Sequence, residues 1–223
     1  MKVIAHIETD FNTKFGVPRQ SGVVPELVSR IIFEPEYRVH DAVRGLEGFS
    51  YIWLLWCFSQ SIREDWSPTV RPPRLGGNTR MGVFATRSPF RPNPIGLSSV
   101  KLIKIDFDSP DGPVLYVAGA DLMNGTPIYD IKPYLPFTDS HPEAKAGFTQ
   151  GMVNELLEVH ITEELQALVP EEKREALRQV LAADPHPHYQ QDSTRIYGME
   201  FSGLEIKFTV DLNDLWVKSI SKI

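Results

Sequence analysis

The chain has 223 residues, of which 42% are hydrophobic and 23% charged, so it is an ordinary globular chain with room for one domain and a small appendage, not a disordered one. The longest apolar run, residues 52–58, is too short to cross a bilayer, and the N-terminus lacks the apolar stretch of a secretory signal. The single cysteine, Cys57, forms no internal disulfide, so we expect a reducing, cytoplasmic location with Cys57 as a small core residue.

The residue pattern from the N-terminus to about residue 148 predicts mainly β structure. Strands are predicted at 3–7, 49–58, 81–85, 97–105 and 114–120, separated by turns rich in glycine and proline. Because proline lacks the backbone donor of a strand ladder, these connections are loops or strand edges. Many short strands with such turns indicate a barrel or a sandwich.

After residue 148 the pattern changes to helix and strand. Helices are predicted at 149–159, 162–169 and 171–183, and the last is the clearest because Leu177, Val180 and Leu181 repeat at helical spacing. Two strands are predicted near 195–201 and 204–210. The expected division is therefore a mainly β domain at 1–148 and a small α+β unit at 149–223.

The charge of the chain is unevenly distributed. The net charge of −6 disfavours nucleic acid as a partner, but residues 62–104 carry eight basic side chains and only two acids, Glu64 and Asp65. Phosphate contacts depend on local potential, so this stretch can bind RNA. By charge alone, a solvated basic loop is an equally good interpretation.

Three segments combine backbone-shaping glycine and proline with hydrogen-bonding side chains. They are 15–22 (FGVPRQSG), 71–96 (RPPRLGGNTRMGVFATRSPFRPNPIG) and 121–134 (DLMNGTPIYDIKPY). Any one segment suits a well-capped turn, but three such loops on a β scaffold favour a ligand pocket. The familiar dinucleotide, P-loop, serine-hydrolase and zinc-protease signatures are absent from the sequence.

The same segments resemble the TrmO (TsaA-like) family. The resemblance rests on RPNPIG at 91–96, PRQ at 18–20 and the stretch 121–134; it runs from about residue 4 to 136 and continues more loosely to ADPHP near residue 185. It implies a small β-barrel that binds S-adenosylmethionine, a C-terminal appendage and a homodimer. It also implies methylation of the N6 atom of threonylcarbamoyladenosine, the modified base next to the anticodon of certain tRNAs.

The resemblance also implies a set of cofactor contacts. Asp121 is expected to accept from the methionyl ammonium or a ribose hydroxyl, Arg19 and Arg87 to pair with the carboxylate, and Leu97 to cover the adenine. Related members often have His where this chain has Ser59. The full set is Pro18, Arg19, Gln20, Ser59, Gln60, Arg87, Leu97, Asp121, Leu122, Met123 and Asn124.

Methyl transfer from a sulfonium depends mainly on positioning in a site of low polarity, with a group to accept the proton of the acceptor nitrogen. Candidates for that group are Asp121, Asp130, Lys132 and Tyr134, although for Asp130 and Lys132 a structural ion pair or turn cap is slightly favoured over catalysis. RNA phosphates are assigned to Arg71, Arg74, Arg80 and Arg91. Phe90 is either a base-stacking ring or a core residue, and residues 186–189 are expected to orient the anticodon loop.

Two other functions remain open from the residues alone. One is methyl transfer to a small molecule, which the basic stretch disfavours. The other is a non-catalytic module that senses S-adenosylmethionine, since the cofactor contacts are rich and no general base stands out.

Overall fold

The computed structural model describes residues 1–72, 75–151, 156–186 and 192–223. These residues form twelve strands and three α-helices. The strands are β1 (Ala5–Glu8), β2 (Val28–Phe33), β3 (Tyr51–Cys57), β4 (Thr69–Val70), β5 (Met81–Gly82), β6 (Ile95–Asp106), β7 (Val114–Ala118), β8 (Thr126–Pro133), β9 (Glu158–His160), β10 (Tyr197–Phe201), β11 (Leu204–Asp211) and β12 (Asp214–Lys222). The helices are α1 (Pro136–Asp139), α2 (Glu163–Gln166) and α3 (Glu171–Ala182), and none of these is long and apolar enough to cross a membrane.

Six antiparallel strands close into a barrel in the order β1–β2–β7–β6–β3–β8. Side chains alternate across each strand, so Ile52, Leu54 and Trp56 of β3 point into the core while Tyr51 points outward. This confirms the predicted fold class, a mainly β protein with a small β-barrel. The run of residues 49–58 was predicted as a buried strand, and Cys57 at its end is buried.

Several predicted elements differ in the structure. β2 and β8 were not predicted, because Arg30 interrupts the apolar pattern of β2 and prolines stand near both ends of β8. The strand predicted at 81–85 is only two residues long, since a turn of 3-10 helix occupies Val83–Ala85.

A second sheet, in the order β10–β11–β12–β9, forms the C-terminal unit. Helix α3 contributes Leu177, Val180 and Leu181 to its core, as the helical spacing predicts. The helix predicted at 149–159 is wrong for its last residues: β9 lies there and pairs in parallel with β12, which was itself not predicted. β9 and β12 are far apart in the sequence and pair because the folded chain packs them together. This packing overrides the local preference for helix at the end of the predicted segment.

The N-terminal loop links the two units. Phe11, Val24 and Leu27 are buried in the core of the C-terminal unit, and the Phe11 ring lies edge-on to Phe201 at 5.6 Å between centroids. Lys173 of α3 forms a largely buried ion pair with Asp10 at 2.7 Å. The chain before β2 therefore contributes to both cores, and the division at residue 148 stays a prediction.

Candidate functional site

A cavity of about 790 Å³ opens beside the end of the barrel, where loops from all three motif segments meet; we call it the smaller cavity. Ten of the eleven predicted cofactor residues line it. The exception is Leu122, which is fully buried in the barrel core. The three segments that the sequence marked as loops are thus brought together by closure of the barrel.

Asp121 occupies the buried side of the smaller cavity. The extended chain after β7 buries Ala120 and Leu122 in the barrel core, so alternation turns the side chain between them toward the cavity. The Ser98 hydroxyl donates to Asp121 Oδ1 at 2.5 Å and accepts from the indole N–H of Trp56 at 3.0 Å. Burial raises the pKa of Asp121 above its ordinary value, while the bond from Ser98, backbone donors and the charge of Arg87 oppose that rise.

An aromatic wall stands next to this carboxylate. Trp56 and Phe58 line the smaller cavity with their ring centroids 4.2 Å apart. A Cβ on Gly96 would lie 2.2 Å from the Trp56 ring, so this glycine is needed for the ring to lie across β6. Trp56, Phe58 and Ser98 were not predicted as site residues. The glycine at the end of RPNPIG could have indicated that a ring packs against the strand at this position.

The first motif segment is held against the chain just before the third by a close backbone approach. Gly22 donates its N–H to the Gly119 carbonyl at 2.8 Å, and Gly119 has φ +75°, where a Cβ would lie 3.2 Å from Gly22 Cα. On the other side, Lys14 Nζ donates to the Gln60 carbonyl at 2.9 Å and fixes the turn at residues 59–61. Lys14 also lines the smaller cavity and is a further cation that the sequence analysis did not identify.

Arg19 and Arg87 supply positive charge to the same cavity. Arg87 donates to the Gln20 side-chain carbonyl, which ties the second segment to the first. Arg19 donates to the backbone carbonyls of Asp184 and His186 at 3.1 and 3.3 Å. The C-terminal unit therefore contacts a predicted cofactor residue directly.

Asp130, Lys132 and Tyr134 lie elsewhere. Asp130 and Lys132 form an ion pair at 2.9 Å on β8, and neither lines the smaller cavity. Tyr134 packs on Trp53, with centroids 5.5 Å apart, and Trp53 lines the smaller cavity whereas Tyr134 does not. Of the four proton-accepting candidates, only Asp121 lines the cavity.

A second cavity of about 1590 Å³, the larger cavity, adjoins the first. Seven residues line both: Arg19, Gln20, Ser61, Thr86, Arg87, Pro89 and Arg91. Counted over the described residues, the larger cavity has seven arginines and lysines in its lining against a single carboxylate, Asp65. It therefore has the local charge that phosphate binding requires, although the whole chain is acidic.

The predicted RNA-contacting arginines fall largely in this larger cavity. Arg71, Arg80 and Arg91 line it, whereas Arg74 lies outside the described residues. Within the part of the chain that the structure describes, Arg71 and Arg80 have no ion-pair partner, while Arg91 donates to the Thr86 carbonyl at 2.9 Å. His186 of the C-terminal unit lines the larger cavity, and residues 187–189 lie outside the described residues.

Comparison with known proteins gives one consistent result. The tRNA-methyltransferase O N-terminal domain matches residues 6–140, and the TrmO C-terminal domain matches residues 154–223. A tRNA (adenine(37)-N6)-methyltransferase of Escherichia coli strain K12 is 43% identical over 93% of this chain and 91% of its own length. One from Eikenella corrodens is 43% identical over 78% of this chain and 98% of its own. A crystal structure of TrmO from Pseudomonas aeruginosa superposes with a TM-score of 0.79 at 28% identity, covering 99% of this chain and 98% of the other.

Proposed function

The chain belongs to the TrmO family, and on that basis we propose that it transfers a methyl group from S-adenosylmethionine to the N6 atom of adenine 37 in tRNA. The observation that carries the proposal is the pairing of two cavities. One is small, has an aromatic wall and holds a half-buried carboxylate; the other is large and basic, and the two share seven lining residues. A donor and a polyanionic acceptor can meet at that shared boundary.

The residues of the smaller cavity fit S-adenosylmethionine. Its volume of about 790 Å³ is in the range of small-ligand and cofactor sites. Asp121 accepts from the ammonium of the methionyl group, and Arg19 and Arg87 bind its carboxylate. Trp56, Phe58 and Leu97 cover the adenine. When bound, this cofactor supplies a methyl group on a positively charged sulfur.

The protein contributes positioning and a site of low polarity. The cofactor would supply its methyl group from a positively charged sulfur, and the aromatic wall of Trp56 and Phe58 would give that sulfur a less polar surrounding than water. Arg87 lies at the boundary of both cavities and holds Gln20, which orders the edge across which the acceptor enters. Asp130 and Lys132 neutralise each other outside the smaller cavity, which supports a structural ion pair on β8.

The acceptor is the threonylcarbamoyl form of adenine 37, as the family resemblance implies. Arg71 and Arg80, exposed in the larger cavity, bind phosphates of the anticodon loop. The acceptor base leaves the loop and enters the smaller cavity past the shared residues, because its N6 atom must reach the methyl group. A tRNA substrate also places the protein in the cytoplasm.

The protein acts as a homodimer. Supporting this, the outer face of β3 and β6 exposes the large apolar residues Tyr51 and Ile103. Tyr51→Glu combined with Ile103→Lys should convert a dimer to a monomer in light scattering coupled to size exclusion. Leu212→Lys, at a still more exposed leucine in the turn before β12, should leave the mass unchanged. A monomeric wild-type protein would refute the dimer.

The proposed reaction is tested with labelled S-adenosylmethionine and two tRNA pools, one from cells that make threonylcarbamoyladenosine and one from cells that cannot. Label should enter only the first pool, in a nucleoside that mass spectrometry identifies as the N6-methyl derivative. Label in both pools would support a tRNA methyltransferase but refute the modified base as its acceptor. Binding of the cofactor without transfer to either pool would favour the sensor module, and transfer to a small molecule alone would favour the other alternative.

A further inference from the structure

Two aromatic rings in the larger cavity are exposed to solvent. Trp66 is 54% exposed and Phe84 is 73% exposed, yet their ring centroids lie 6.2 Å apart with the planes at 31°. Single exposed apolar residues are common on protein surfaces, but a paired set of rings in the wall of a cavity marks a binding surface.

The backbone under these rings is well ordered by hydrogen bonds. The strand pair β4–β5 brings Trp66, just before β4, next to Phe84, just after β5. Ser67 Oγ donates to the Thr69 carbonyl at 2.8 Å and closes the turn after Trp66. Val83 is buried and donates its N–H to the Pro68 carbonyl at 2.9 Å. The rings are thus presented by a hydrogen-bonded strand pair, which limits the ordering cost of binding.

The charge around the pair identifies the kind of ligand. Arg71 follows β4 directly and Arg80 precedes β5, so both cations flank the same hairpin, and both line the larger cavity. In the same lining, the guanidinium of Arg63 lies 3.8 Å from the centroid of Phe90. Flat rings and cations that line one cavity are the combination that binds single-stranded nucleic acid, because bases stack on the rings while the cations bind phosphates.

We infer that Trp66 and Phe84 form a stacking site for a nucleobase of the tRNA anticodon loop, distinct from the base that is methylated. This inference rests on the proposed function. Phe84 is three residues from Arg87, which lines both cavities, so their Cα atoms are at most about 11 Å apart. The stacking site therefore lies close to the boundary across which the acceptor base would enter the smaller cavity.

The test uses an anticodon stem-loop RNA that carries a fluorescent adenine analogue at each loop position in turn. Stacking should quench the analogue at one loop position other than the acceptor. Trp66→Ala and Phe84→Ala should each weaken RNA binding roughly 5- to 150-fold and remove the quenching. Trp66→Phe should restore most of the binding because a ring remains. Phe137→Ala is the matched control, since Phe137 is 87% exposed and lines neither cavity.

All four variants should bind S-adenosylmethionine with unchanged affinity. This measurement is the control that shows that the variants are folded. If both alanine variants bind the RNA as tightly as Phe137→Ala does, the stacking site is refuted while the proposed reaction stands. If the wild-type enzyme methylates no tRNA but its RNA binding still depends on Trp66, the proposed reaction fails and the stacking site stands. Dependence on Trp66 for binding anionic vesicles or an acidic peptide, with RNA binding unaffected, would also overturn the inference.

Discussion

The sharpest test of the smaller cavity is Asp121→Asn. The substitution keeps the size of the side chain and an oxygen that accepts from the Ser98 hydroxyl, but it removes the negative charge. A charge-assisted hydrogen bond contributes about 1.5–3 kcal/mol, so we expect affinity for S-adenosylmethionine to fall roughly 10- to 150-fold. Titration calorimetry at neutral pH measures this directly.

The dependence on pH gives a second, independent readout. Burial raises the pKa of Asp121, so the carboxylate of the wild-type protein is protonated at a higher pH than an ordinary aspartate. Affinity for the cofactor should therefore decrease as the pH is lowered. In Asp121→Asn, which has no carboxylate to protonate, the affinity should not depend on pH in this way. Ser98→Ala removes a bond that holds the pKa down, so its decline should begin at a higher pH than that of the wild type.

The same carboxylate should destabilise the cofactor-free protein. The pKa of Asp121 in the folded protein is raised above the ordinary value near 3.8 that it has in the unfolded chain. At a pH between these two pKa values the folded state binds more protons than the unfolded state. The free energy of unfolding therefore falls as the pH rises through that interval. Asp121→Asn should therefore raise the melting temperature of the cofactor-free protein at neutral pH, with the gain shrinking in acid. An affinity within threefold of the wild type, with an unchanged pH profile, would refute the assignment of Asp121 to the cofactor.

Three further predictions concern other parts of the site. Arg87→Ala should lose about tenfold or more in cofactor affinity by calorimetry, whereas Arg80→Ala, in the larger cavity only, should lose little; equal losses would refute this division. In filter binding across a salt series, removing Arg71 and Arg80 together should flatten the slope of log K against log salt by about 1.4, whereas charge reversal at Glu171–Glu172 should barely change it. Phe11→Ala should cost about 3–5 kcal/mol of unfolding free energy in urea, and a small cost would mean that the N-terminal loop is not held by the C-terminal core.

The sequence alone predicted the fold class and several of its elements. A run of aromatic and aliphatic residues predicted β3, apolar segments between turns rich in glycine and proline predicted β6 and β7, and helical spacing predicted α3, because these patterns follow from the local geometry of strands and helices. Ten of the eleven residues that the family resemblance implies as cofactor contacts line the smaller cavity, and their role in binding stays a prediction. The exception, Leu122, lies between two cavity-facing residues and points into the core because side chains alternate.

The tertiary structure decided which distant residues share a surface. Local patterns do not show that β9 pairs with β12, that Phe11 packs in the C-terminal core, or that Arg19 meets the His186 carbonyl. Nor do they separate Asp121, in the cavity, from Asp130, which pairs with Lys132 outside it. Such contacts join residues far apart in the chain, so they form only where the sum of packing and hydrogen bonding exceeds the entropy of closing the loops between them.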